Sequence, residues 1–237
     1  GAVFGEKLGW ERANWFADTG EEPRDIYTFG LPNWHSAVAR EHKAAREAAV
    51  LFDQTSFAKY ILTGPDAEQA LQWIASNRVD KPVGSIIYTQ MLNDNGGIEC
   101  DLTCVRTKFN EYYITTGTGY ATHDFNWISR NIPSELNAQL IDVTSSNAVL
   151  SLFGPNARDI LQVLTVNDVS DNGHPFGSAR QISIAGCLVL AMRITYVGEL
   201  GWELHLPVEY AQTVYNKLIE AGSPLGLRNA GYRALET

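Results

Sequence analysis

Ile61-Leu62-Thr63-Gly64-Pro65-Asp66-Ala67-Glu68-Gln69-Ala70-Leu71-Gln72 and Leu152-Phe153-Gly154-Pro155-Asn156-Ala157-Arg158-Asp159-Ile160-Leu161-Gln162 share one pattern: an apolar strand, a Gly-Pro turn, then a helix. In each, the sequence places Pro at the first helical turn, where its missing N–H is not needed and its fixed φ is already helical. The two Gly-Pro steps lie 154 − 64 = 90 positions apart. That is too long for a solenoid period and suits two copies of a small α/β unit.

The elements following each step repeat as well. Alternating or apolar runs predict strands over 86–92, 98–105 and 112–116 and a helix over about 121–130. In the second copy the strands fall at 181–184, 187–194 and 202–206, with a helix over about 208–221. Asn93-Asp94-Asn95-Gly96-Gly97 supplies residues that tolerate positive φ between two alternating strands, which predicts a hairpin. Its likeness to a calcium loop fails, because the acids stand at the wrong offsets and no bidentate Glu closes it. The fold class expected is α+β: two similar halves, about 54–135 and 140–237, of mostly antiparallel sheet with helices.

Upstream of the repeat, Val38, Ala39, His42, Ala45, Ala49 and Val50 recur at helical spacing, with Arg40, Glu41, Lys43 and Arg46 opposite. This predicts a helix from about Trp34 to Phe52-Asp53. Residues 1–34 are rich in aromatic, Gly and Pro residues without a sustained period and read as an irregular linker arm. At the other end, Ala230 to Thr237 begins a helical pattern that lacks a capping residue and reads as a truncation.

Composition excludes several classes. Hydrophobic residues at 45% and charged residues at 19%, without low-complexity runs, describe a globular chain. No apolar run approaches the ~20 residues of a membrane span, and no secretory signal opens the sequence. A formal charge of −9 with no basic cluster argues against nucleic acid. Three cysteines, an odd number, fit a reducing compartment, cytoplasmic or mitochondrial matrix if eukaryotic.

Strand parity sorts the candidate site residues. Over 98–105, Ile98, Cys100, Leu102 and Cys104 share one face, and Glu99, Asp101, Thr103 and Val105 share the other. The cysteines read as core, and no further ligands stand at zinc spacing, so no metal is expected. Asp101 is an acid in mid-strand on the face opposite the apolar one, consistent with a solvated face or a site. Trp202, Leu204 and Leu206 similarly oppose Glu203 and His205, after Gly198 and Gly201, which let the backbone bend or approach a ligand closely. Thr116-Gly117-Thr118-Gly119 lacks the third Gly of a dinucleotide turn and reads as a strand-to-helix loop. His123-Asp124, in the helix after it, reads as a solvated pair. No nucleophile elbow or phosphate-cradling loop is present.

Four stretches together resemble one family: Arg40-Glu41-His42-Lys43 with Ala48-Ala49-Val50-Leu51-Phe52-Asp53 and Ser56-Phe57; Tyr88-Thr89-Gln90-Met91-Leu92-Asn93 with Gly96-Gly97 and Asp101-Leu102-Thr103; Tyr196 to Glu203; and Gly231-Tyr232-Arg233-Ala234-Leu235-Glu236. The likeness, over nearly the whole chain, is to the folate-binding domain of the glycine-cleavage T-protein (aminomethyltransferase) family. Within that family the chain looks most like the C-terminal half of sarcosine and dimethylglycine dehydrogenases. The opening Gly1 to Arg12 is similar to the segment that follows the flavin domain there. The resemblance implies a missing flavin half before Gly1, a folate domain over 35–237, and a small C-terminal barrel after Thr237.

The resemblance further implies tetrahydrofolate as cofactor in a central cavity, with FAD confined to the missing upstream half. Asp101 would be catalytic, beside the reactive nitrogens. Glu203 would hold the pterin, with Tyr88 and Tyr196 lining the cavity and Thr103 beside Asp101 completing the cofactor contacts. The activity implied is capture, as 5,10-methylenetetrahydrofolate, of the one-carbon unit from an N-methyl amine oxidised by the flavin. A small methylated amine and a covalently linked flavin domain would be the partners. The family's alternatives are a non-catalytic folate-binding or regulatory module and the stand-alone aminomethyltransferase of glycine cleavage. T-proteins usually carry two adjacent acids in this strand; here the first is Cys100, so no argument from paired carboxylates applies.

Overall fold

The computed structural model describes residues 1–237, which divide into two compact units, one of 56–147 with 177–180 and one of 1–55, 148–176 and 181–237. The second, flanking unit opens with β1 (Ala2–Lys7) and β2 (Trp10–Phe16), then α1 (His35–Glu47) and β3 (Ala49–Asp53). Two expectations are corrected here. Residues 2–16, read as irregular, form an antiparallel hairpin that turns at Leu8-Gly9, both at positive φ. Trp15 anchors it, fully buried with Val3 and Ala37. Residues 49–53, read as the end of a helix, form a strand, because Ala49, Val50, Leu51 and Phe52 are all buried. A run apolar on both faces belongs in the middle of a sheet.

The 56–147 unit contains β4 (Ala58–Thr63), α2 (Ala67–Ile74), β5 (Ile86–Leu92), β6 (Ile98–Lys108), β7 (Glu111–Thr116), α3 (Ala121–Asn131) and β8 (Gln139–Asp142). Its five strands run in the order β5-β6-β7-β4-β8, each paired antiparallel with its neighbour. The expected hairpin joins β5 to β6: Asn93 N–H donates to the Gly97 carbonyl, and the Asn93 side-chain oxygen accepts from the N–H groups of Asn95 and Gly97. Leu62, Leu71, Met91, Cys100, Leu102, Cys104, Ile114 and Ile128 are among the core residues on the helix side of this sheet.

The flanking unit resumes with β9 (Asn147–Phe153), α4 (Ala157–Gln162), β10 (Ala179–Ile184), β11 (Cys187–Met192), β12 (Gly201–Pro207), α5 (Ala211–Gly222), β13 (Leu227–Asn229) and α6 (Tyr232–Leu235). From β9 to β13 this is the β-α-β-β-β-α-β order of the 56–147 unit. The sheet order is β10-β11-β12-β9-β3-β13, so β3 is wedged between the first and last strands of the repeat. It pairs antiparallel with β9 and parallel with β13. Trp202, Leu204, Leu206, Val189, Ile184, Ile160, Val214 and Leu218 belong to the core of this unit.

The Gly-Pro steps open α2 and α4, with each Pro in the turn just ahead of the helix rather than in its first turn. The two glycines are equivalent in geometry: Gly64 has φ +132° and Gly154 φ +129°, and a Cβ on either would meet a backbone carbonyl oxygen at 2.4 or 2.5 Å. Only glycine satisfies both demands.

One buried acid ties β2, α1 and the final turn together. Glu41, 3% exposed, accepts from the N–H groups of Phe16 at 2.8 Å and Gly231 at 3.1 Å. Burial outweighs these bonds and pushes its pKa up to about 7. No helix is long and apolar enough to cross a membrane.

Candidate functional site

In the 56–147 unit the β5–β6 hairpin presents opposite chemistry on its two faces. Cys100, Leu102 and Cys104 point into the core, as parity requires. Asp101 is exposed on the reverse face, directly opposite Gln90, and Thr103 stands opposite Tyr88. The Tyr88 hydroxyl donates to the Asp101 carboxylate and receives a bond from Gln90; the bond to Asp101 is the main cause of a raised tyrosine pKa. A phenol held by a carboxylate loses its own proton less readily and keeps one carboxylate oxygen oriented. Thr115, across from Thr103 on β7, is buried, and its hydroxyl has no hydrogen-bond partner. A buried hydroxyl of this kind is a polar demand that a polar ligand can meet. Tyr88, Asp101 and Thr103 therefore share one face, with an acceptor, an aromatic ring and unspent hydroxyl capacity suited to a polar heteroaromatic molecule.

In the flanking unit Glu203 lies on β12, on the face away from Trp202, Leu204 and Leu206. His205, two residues on and buried, brings Nε2 to 3.3 Å from Glu203 Oε2. Tyr196 is exposed in the loop ahead of β12. That loop is tied to α1 by Arg46, which donates to the Val197 carbonyl at 2.9 Å and to Glu199 at 2.7 Å. Gly198 has φ +83°, and a Cβ on Gly201 would sit 2.3 Å from the Leu152 carbonyl oxygen. The glycines thus serve a bend and a close strand approach. Tyr196 and Glu203 sit on separate segments of this unit, the loop ahead of β12 and β12 itself.

Sequence reading missed one constellation. Asp124, expected as part of a solvated pair, is 1% exposed. It accepts from the Thr116 hydroxyl at 2.6 Å, and His123 Nδ1 lies 2.9 Å from its other oxygen. The Cys100 thiol also bonds to it, and burial with this neighbouring acid raises the thiol pKa strongly. The signal available was weak: Asp124 is an acid in the first turn of α3, the helix that comes next after β7 and a short 3-10 turn. A surface recess of about 760 Å³ is lined by Gln72, Trp73, Arg78 and Glu135 among others and contains none of these residues. Its Arg78 and Glu68 are spent in ion pairs with Asp80 and Arg106, so the chemistry concentrates on the strands.

Comparison with known proteins places the chain in a lineage. The chain is 36% identical to human mitochondrial sarcosine dehydrogenase over its whole length, which is 30% of that protein. It is 38% identical to the formaldehyde-forming 4-methylaminobutanoate oxidase of Paenarthrobacter nicotinovorans, again over the whole chain and 29% of that protein. It therefore spans less than a third of these relatives. The aminomethyltransferase T of the Bartonella henselae glycine cleavage system superposes on 99% of the chain with TM-score 0.79 at 23% identity, matching 57% of that structure and showing a common fold. The family model described as the GCVT N-terminal domain matches residues 1–237, and the chain belongs to that family.

Proposed function

We propose that the chain is a tetrahydrofolate-binding domain that captures the one-carbon unit released from an oxidised N-methyl amine, as part of a longer flavin-dependent enzyme. The observation that carries this reading is Asp101: an exposed carboxylate on the helix-free strand face, oriented by Tyr88, in a chain that matches its family from end to end. The names of its relatives, a sarcosine dehydrogenase and a formaldehyde-forming methylamine oxidase, support an amine substrate.

Tetrahydrofolate supplies the nitrogen nucleophiles that take up the carbon as 5,10-methylenetetrahydrofolate. Asp101 accepts the proton that a nitrogen must lose and provides a counter-charge for the cationic centre, general-base assistance of the kind worth ~10²–10⁴-fold. Glu203 accepts two parallel N–H bonds from the ring amide and exocyclic amine of a pterin, a geometry a carboxylate matches. Tyr88 and Tyr196 offer rings for packing and hydroxyls for polar partners. Thr103, with the buried Thr115 hydroxyl across from it, adds polar contact on the Asp101 face.

Titration calorimetry with tetrahydrofolate tests the assignment. Glu203→Gln is expected to weaken binding by roughly tenfold or more, since one of two charge-assisted bonds is lost. Asp101→Asn should leave binding within a few-fold and, in the full-length enzyme, slow methylenetetrahydrofolate formation by about 10²-fold or more. Unchanged binding by Glu203→Gln removes the pterin assignment, and an unchanged rate in Asp101→Asn removes the proton acceptor.

A further inference from the structure

Behind the sheet, on the face opposite Asp101, Cys100, His123 and Asp124 converge. One ligand-type atom from each, Sγ, a ring nitrogen and a carboxylate oxygen, lies within 4.8 Å of the other two. Cys100 comes from β6 and the other pair from the first turn of α3, so a strand and a helix hold the group. We propose that Cys100, His123 and Asp124 form a binding site for a divalent transition-metal ion of the zinc class.

The surroundings are arranged as a metal site requires. A ligating imidazole ordinarily donates its second N–H to a carboxylate, which fixes the tautomer, and ligating carboxylates are themselves hydrogen-bonded. His123 has Nδ1 beside Asp124 and Nε2 at 3.4 Å from Glu99 Oε2. Nδ1 then faces the ion while Nε2–H is donated to Glu99. Glu99 is in turn held by Asn93, whose amide donates to it at 2.8 Å. Thr116 donates to Asp124 Oδ2 at 2.6 Å, leaving Oδ1 on the His123 side for the ion. Thiolate, imidazole and carboxylate are all zinc ligands, and three protein donors leave a fourth, tetrahedral position for water. The His123 side chain is 49% exposed, which gives the ion its path in.

Without an ion, the three side chains satisfy one another as a hydrogen-bonded group. On binding, the Cys100 thiol releases its proton to solvent as sulfur bonds the ion. His123 binds the ion through Nδ1 as the neutral imidazole, with its remaining proton on Nε2. At least one proton leaves per ion bound, so apparent affinity rises with pH, by about tenfold per unit where the thiol proton alone is released.

Cobalt(II) and zinc(II) titrations of the purified chain decide the matter. Wild type is expected to bind one Co²⁺ with a sulfur-to-metal charge-transfer absorption that Zn²⁺ abolishes by displacement. Cys100→Ser should lose that absorption, and Asp124→Asn should weaken binding at least tenfold. Because Asp124→Asn alters a buried group, Glu99→Gln serves as the surface variant: loss of the negative charge on the acceptor of His123 Nε2–H should lower affinity by about tenfold. Absence of the charge-transfer band in folded wild type, or equal affinity in wild type, Cys100→Ser and Glu99→Gln, would overturn the proposal.

Discussion

At the scale of single residues, alternation along β6 was readable because each strand position faces either the core or the far side. Cys100 and Asp101 fell on the faces assigned to them. Asp124 and Glu41 were not readable. Each sits in a helix that looks amphipathic, and each is buried by a segment remote in sequence: Cys100 bonds Asp124, and Gly231 bonds Glu41. Glu41 has a measurable consequence. Its folded pKa of about 7 stands above the ordinary value of 4.5. The neutral form is favoured on folding, so its contribution is full below about pH 4.5 and is lost as pH rises through 7. Over that interval the flanking unit is expected to lose up to about 3 kcal/mol from this group. Urea denaturation at a series of pH values should show the decline. Glu41→Gln should flatten it, at a uniform cost of about 1 kcal/mol because one amide oxygen replaces two acceptors. A wild-type profile that does not fall between those pH values contradicts the assignment.

Elements were legible where a local rule fixed them. The Gly-Pro steps located α2 and α4, and the Asn-Gly-Gly turn located the β5–β6 hairpin. β3 was not legible, since a short run apolar at every position has no period to distinguish strand from helix. Its strand character comes from β9 and β13 on either side. The hairpin of residues 2–16 was hidden for a related reason: a bulge between Val3 and Phe4 breaks the alternation. Two glycines separate conformational strain from steric overlap. Gly96 has φ +78° with open space around its missing Cβ, whereas Gly154 has φ +129° and the Ala48 carbonyl oxygen at 2.5 Å. Gly96→Ala is expected to cost about 1 kcal/mol. Gly154→Ala should cost more than about 3 kcal/mol, because overlap adds to strain. Thermal melts of the two variants compare them directly, and equal shifts would mean the backbone around Gly154 gives way.

The whole molecule contains one pattern twice, and only the second copy takes a strand, β3, from outside its own run. All five strands of the 56–147 unit lie within 58–142, joined by short excursions. The flanking unit must bring residues 49–51 against 227–229. Closing long loops delays folding relative to local pairing. Pulsed hydrogen exchange during refolding should therefore find amides of β4 to β8 protected before those of β3 and β13. Earlier protection of β3 would reverse the expected order. A growing chain meets the same constraint on the ribosome. β3 emerges well before its parallel neighbour, which lies 227 − 49 = 178 positions further along. Over that stretch of synthesis Val50, Leu51 and Phe52 wait without that partner, a short apolar strand of the kind holdase chaperones grip.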